Sequence, residues 1–193
     1  MMGKLRQLCG IIDASGDNSG LGFDYAAFMA ERDNCNRNSA ITYFMREWGV
    51  IPKGDSVEEV LDTYTQFNNI TVNTDSLSVM AASLANGGIC PLTGVSCLSN
   101  EGVKSTLSVM LAAGMNGYSG QWAYKVGLPA KSGISGGLMI VVPNIMGIGL
   151  FSPRVDEQYN SVKSLEFVEQ LVDQFCFHQY DPIRMRTSVV KPG

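Results

Sequence analysis

The stretch 138–151 constrains this chain more than any other. Leu138-Met-Ile-Val-Val142 is an unbroken apolar run rich in β-branched residues; Pro143-Asn144 stops it, and an apolar segment over 146–151 resumes. Such a pattern predicts an antiparallel hairpin set into a core. Its break leaves each half far too short to span a bilayer. Upstream, Gly127-Leu-Pro-Ala-Lys-Ser-Gly-Ile-Ser-Gly-Gly137 reads as a glycine-hinged strand start carrying Lys131 and Ser132, with the hairpin's first strand over 134–142. Two strands alone make a marginal sheet, so the hairpin needs cover. Asn160-Ser161 cap a last helix whose Val162, Leu165, Val168, Leu171, Val172 and Phe175 share one side, and that side is expected across the hairpin.

Before the hairpin the chain reads as a series of helices joined by loops and turns. A mildly basic segment, 1–14, has some helical character. Asp24 is placed to cap a helix running to about Asp33-Asn34. Asn38-Ser39 are expected to cap a second, with Ile41, Phe44, Met45 and Trp48 at helical spacing and Gly49 closing it. Ser56-Val-Glu-Glu59 is a capping box before a stripe of Val57, Val60, Leu61 and Tyr64. Thr74-Asp75 open a helix over 77–85 made of small residues, which implies close packing. Ser99 caps another, with Val103, Leu107, Met110 and Leu111 inward. The segment 115–126 is glycine-punctuated and aromatic, with Tyr118, Trp122 and Tyr124. Helices first, then a hairpin, then a covering helix make an α+β chain of one domain.

Composition removes several function classes. The chain has 14 basic and 18 acidic residues, a net charge of −4, and no basic run, which argues against nucleic-acid binding. Its 5 cysteines are odd in number and scattered, as expected of reduced thiols in a non-secreted protein. His178 is the only histidine, so no metal site is expected. Neither a membrane segment nor a signal or transit peptide is read here.

The motifs together resemble those of the serine-dependent glutaminases in their animal form. They are Glu31-Arg-Asp33, Arg37-Asn38 with Ala40-Ile41, Leu61-Asp62 with Tyr64, and Ser78-Val-Met-Ala-Ala-Ser-Leu-Ala-Asn-Gly-Gly88. Further along come Cys90-Pro-Leu-Thr-Gly94, Ser119-Gly-Gln121, the Lys131-Ser-Gly133 triplet, Val142-Pro-Asn144, Asn160-Ser-Val-Lys163 and Phe177-His-Gln-Tyr-Asp181. A Lys-Ser/Thr-Gly triplet opening a strand is also a signature of penicillin-recognising serine hydrolases. The resemblance covers 23–181, with weak resemblance over 1–22 and a tail over 182–193. It implies a β-lactamase/transpeptidase-like fold, an α-β-α sandwich, here incomplete on its N-terminal side. It implies hydrolysis of L-glutamine to L-glutamate and ammonia through a serine acyl-enzyme without a cofactor. Homo-oligomers, phosphate activation and a mitochondrial location (otherwise cytoplasmic) are also implied.

Residue by residue, the resemblance makes Glu31 the carboxylate for the substrate amino group and Asn38 a polar partner. Tyr64 contributes a hydroxyl, and the backbone of Ile134 contacts the substrate. Lys131 and Ser132 would supply positive potential and a hydroxyl. Unaided, Glu31 reads as a surface acid paired with Arg32 or Arg37. Asn38 reads as a helix cap, Tyr64 as an inward aromatic and Lys131 as an exposed strand-end charge. Two departures stand out. Asn116 occupies the place of a family tyrosine that takes part in proton transfer, with Tyr118 two residues away as a substitute. The family's Ser-x-x-Lys nucleophile and base are not identified. The chain's Ser188-Val-Val-Lys191 stands in a tail without helical pattern and reads as coincidence. The alternative to an enzyme is a non-catalytic assembly or regulatory subunit.

Overall fold

The computed structural model describes residues 2–11 and 20–181. In chain order the elements are α1 (Met2–Leu8), β1 (Leu21–Phe23), α2 (Tyr25–Asp33), α3 (Asn36–Glu47), α4 (Val57–Asn68) and β2 (Ile70–Val72). There follow α5 (Thr74–Ala85), α6 (Asn100–Ala113), a 3-10 turn (Asn116–Tyr118), α7 (Ser119–Lys125), β3 (Ala130–Ser132), β4 (Gly137–Val142), β5 (Met146–Phe151) and α8 (Val162–Gln174). They form two compact units, one of Met1–Asp17 with Asn73–Gly193 and the other of Asn18–Val72. No shift in composition marks the passage between them at Val72 and Asn73.

The first unit is built on an antiparallel sheet in the order β3-β4-β5. Leu138, Ile140 and Val142 of β4 face Trp122 and Val126 of the α7 region and Val168 and Val172 of α8. Val141 points the other way, onto Ala81, Leu84, Val103 and Met110 of α5 and α6. Helices therefore cover both faces, which is why β4 is apolar without alternation. The covering role expected of α8 is met, although Val162 at its start is exposed.

One strand was expected where the structure has two. The Gly133 N–H donates to the Gly137 carbonyl at 2.8 Å and the Gly136 N–H to the Gly133 carbonyl at 3.0 Å, so the chain reverses between Ser132 and Gly137. Gly136 sits at φ +96°, a conformation glycine adopts freely. β3 thus pairs back on β4, with Ala130 opposite Ile140 and Ser132 opposite Leu138. That third strand relieves the marginal two-strand hairpin.

β5 meets α5 backbone to backbone. A Cβ on Gly147 would overlap the main chain of Ala81 and Ala82, and one on Gly149 would stand 2.7 Å from Ser78 Oγ. The Gly149 N–H donates to that same hydroxyl at 3.0 Å. Small residues on α5 and glycines on β5 are the two halves of one close contact, as the composition of 77–85 led us to expect. Within the segment 115–126 the 3-10 turn leads into α7. Trp122 is fully buried there, and its indole N–H donates to the Leu128 carbonyl at 2.7 Å.

In the second unit, β1 and β2 pair antiparallel, with Leu21 opposite Val72 and Phe23 opposite Ile70. These three-residue strands carry too little pattern to be read from sequence. Asp24 caps α2, accepting from Ala27 N–H at 2.9 Å. Ser56 caps α4, accepting from Glu59 N–H at 3.3 Å. The start expected for α3 is corrected: it begins at Asn36 after Cys35, so Asn38 and Ser39 lie in its first turn instead of capping it. Its expected apolar stripe is largely exposed, with Trp48 75% exposed and its ring 6.0 Å from that of Phe44. α4 packs against both α2 and α3.

Candidate active site

Glu31, Asn38 and Tyr64 all fall in the Asn18–Val72 unit. Glu31, near the end of α2, is half-buried. Its Oε1 accepts from Asn68 Nδ2 at 3.0 Å and its Oε2 from Asn69 Nδ2 at 2.7 Å. The surface ion pair with Arg32 or Arg37 does not form. Arg32 is spent on Asp62 of α4 at 3.0 Å, and among the described residues no cation pairs with Glu31. Tyr64 is one helical turn before Asn68, so the two share a face of α4. It is half-exposed, which corrects its unaided reading as an inward core aromatic. The Asn38 backbone carbonyl accepts from the Thr42 hydroxyl at 2.7 Å. Among the described residues, neither the Asn38 amide nor the Tyr64 hydroxyl makes a hydrogen bond.

Lys131, Ser132, Ile134 and Tyr118 belong to the other unit. Ser132 is buried and its N–H donates to the Gly114 carbonyl at 3.1 Å, joining β3 to the end of α6. Lys131 points to the exposed side of β3, and its ammonium bonds the Ser132 carbonyl. Enough protein surrounds that ammonium for burial to hold its pKa below the ordinary lysine value. Ile134 is at the tip of the β3–β4 turn and 78% exposed.

Asn116, not Tyr118, is the residue that touches Ser132. Asn116 adopts φ +53°, tolerable for asparagine. Its Nδ2 donates to Ser132 Oγ at 3.2 Å and to the Gln158 carbonyl at 3.0 Å. Ser119 Oγ in turn donates to the Asn116 carbonyl at 2.8 Å. The Tyr118 hydroxyl instead donates to Glu169 of α8 at 3.0 Å, and Lys125 reaches the same carboxylate at 3.1 Å. That link holds Lys125's pKa up, first through Tyr118 and then through Glu169. The buried Asn160 completes this corner, donating to the Met115 carbonyl at 3.3 Å.

A family model for glutaminase matches residues 2–180. The chain belongs to the glutaminase family. It is 48% identical over 167 residues to the mitochondrial liver isoform of glutaminase from Mus musculus, covering 86% of this chain and 28% of that protein. It is 43% identical over 162 residues to a glutaminase of Nostoc sp., covering 84% of this chain and 48% of that protein. The crystal structure of Mglu in its glutamate form superposes with a TM-score of 0.81 at 35% identity, over 92% of this chain and 39% of that chain. This glutaminase-family chain therefore spans half or less of the length of these relatives. The family match starts at residue 2, upstream of position 23 where the recognisable motifs begin.

The sequence did not flag Asn68 and Asn69, the amides that hold Glu31. The signal was an Asn-Asn pair at the end of a helix, which reads as a stop. Nor did it flag Gln158, which enters through its carbonyl and carries no side-chain signature. Ser188 and Lys191 lie outside the described residues. Among the described residues no group of three or more His, Cys, Asp or Glu is placed to hold a metal ion, and no helix is long and apolar enough to cross a membrane.

Proposed function

We propose that this chain binds L-glutamine and serves its hydrolysis to L-glutamate and ammonia. The observation that carries the reading is the state of Glu31, a carboxylate oriented by neutral amides and, among the described residues, paired with no cation. The α-amino group of a free amino acid is an ammonium at neutral pH and needs such a counter-charge. Asn38, in the first turn of α3, offers an amide and nearby helix N–H groups to the substrate carboxylate. Tyr64 offers its hydroxyl from the face of α4 that carries Asn68. Lys131, Ser132, the Ile134 backbone and Tyr118 are the candidates carried by the other unit. Helices on both faces of the sheet support a β-lactamase/transpeptidase-like architecture. Likeness to the mitochondrial liver isoform supports a mitochondrial location, whereas homo-oligomers and phosphate activation rest on the family resemblance alone.

An acyl-enzyme needs an activated serine and a base for its proton. Neither is identified in this chain, so by itself it binds without turnover. The non-catalytic alternative has one support, Asn116, whose amide cannot relay a proton as a phenol does.

Calorimetric titration with L-glutamine tests the binding. Glu31→Gln should cost on the order of 2–5 kcal/mol, as when a buried charge loses its partner, and an unchanged affinity rejects the reading. Ammonia release from the purified chain, beside Ser188→Ala, tests turnover. Release that disappears in the variant would assign the nucleophile to the tail and exclude the non-catalytic alternative.

A further inference from the structure

Two adjacent amides are spent on Glu31 and on little else. Asn68 is the last residue of α4 and Asn69 its C-cap. Each gives one N–H to a different oxygen of the carboxylate, at 3.0 Å and 2.7 Å. Asn69 is itself anchored: its Nδ2 also donates to the carbonyl of the buried Thr65 at 2.9 Å, and its carbonyl accepts from Asp24 N–H at 2.9 Å. One donor per oxygen fixes both the position and the plane of the carboxylate. Each carboxylate oxygen has two lone-pair sites, so one on each remains for a ligand.

The choice of donor matters as much as the geometry. A guanidinium could orient Glu31 equally well, but it would neutralise the charge it orients. Arg32, next in sequence, is instead held on Asp62 at 3.0 Å. An amide pair orients without cancelling.

We infer that Asn68 and Asn69 are positioning residues, which hold the Glu31 carboxylate aimed at an ammonium-bearing ligand. This rests on the reading of Glu31 above. The test uses the side-chain amide resonances of Asn68 and Asn69 in 1H–15N spectra of the whole chain. Both should shift with the ionisation of a single carboxylate as pH is lowered, and that response should vanish in Glu31→Gln. Amide resonances indifferent to Glu31→Gln overturn the inference.

Methylammonium and L-glutamine are then added separately. Both should move the same resonances, and L-glutamine binding should weaken about tenfold in Asn68→Ala, the order expected for one hydrogen bond to a charged group. Asn68 is exposed, so that variant should keep its melting temperature; the Asn69→Ala change is read beside it. If Glu31→Gln weakens L-glutamine but both asparagine variants leave its affinity unchanged, the inference fails while the reading of Glu31 stands. A response to methylammonium but not to L-glutamine upholds the positioning role and removes glutamine as the ligand. No response to either rejects both.

Discussion

Replacing Gly147 with alanine tests the contact between β5 and α5. At a site with room, the change would stabilise by about 0.4–1 kcal/mol by restricting the unfolded chain. Gly147 has no room, because its new methyl would occupy space held by the main chain of Ala81 and Ala82. Main chain cannot rotate aside as a side-chain end can, so the helix must lift from the strand. Overpacking of this kind costs about 1–3 kcal/mol. Lifting also stretches the bond from Gly149 N–H to Ser78 Oγ, a further loss of about 1 kcal/mol. Net destabilisation of about 2–3 kcal/mol is expected, a large share of an ordinary domain's stability. Urea denaturation followed by far-ultraviolet circular dichroism measures it. Gly120→Ala is the control, since a Cβ there meets nothing within 4 Å and its place in α7 favours alanine by up to about 1 kcal/mol. A Gly147→Ala midpoint at or above that of the unsubstituted chain would refute the close-contact reasoning.

Three further outcomes follow from the same structure. Burial lowers the pKa of Lys131 from 10.5, so the folded chain bears a penalty on the charged form that fades as pH rises through the lowered value. Lys131→Met should therefore raise the melting temperature at pH 7, with the advantage shrinking toward pH 10.5; a lower melting temperature at pH 7 contradicts this. Burial, helped by Cys90, pushes the Cys9 thiol up from 9.0 to about 11. Its contribution is complete below pH 9 and lost as pH rises to 11, so stability should decline across that window and the decline should be shallower in Cys9→Ala. Asn116→Ala should destabilise more than Asn116→Gly by about 1 kcal/mol, because both lose the bonds to Ser132 and Gln158 but only alanine is strained at φ +53°; equal midpoints on thermal melting would count against that.

Helix caps and apolar runs were legible because each is a local signal. Asp24, Ser56, Ser99 and Ser161 cap where expected, and the runs of β4 and α8 meet in one core. Features set by partners distant in sequence were not legible. β3 is a strand only because β4 pairs with it, and its three residues have no periodicity of their own. α7 was hidden by glycines and aromatics, whose burial decides the matter only once the sheet beneath them exists. Ile41, Phe44 and Trp48 have the spacing of a buried stripe yet are exposed, since spacing reports which residues share a face and not what lies against it. At the candidate site, Glu31 was named by resemblance. Its amide partners, 37 and 38 residues away in sequence, were not, because side-chain pairing between the ends of α2 and α4 leaves no mark on either segment.

The placement of the two tryptophans equips the chain with its own reporters. Trp122 is sealed in apolar surroundings with its N–H on the Leu128 carbonyl, whereas Trp48 stands in solvent against Phe44. An enclosed indole emits at shorter wavelength than a hydrated one, so one emission spectrum holds two separable components, one from each compact unit. Trp48→Phe would leave a spectrum that speaks for the three-stranded sheet and its helices alone. Its shift to longer wavelength on denaturation then reports when the shell around Trp122 opens to water, without attaching a dye.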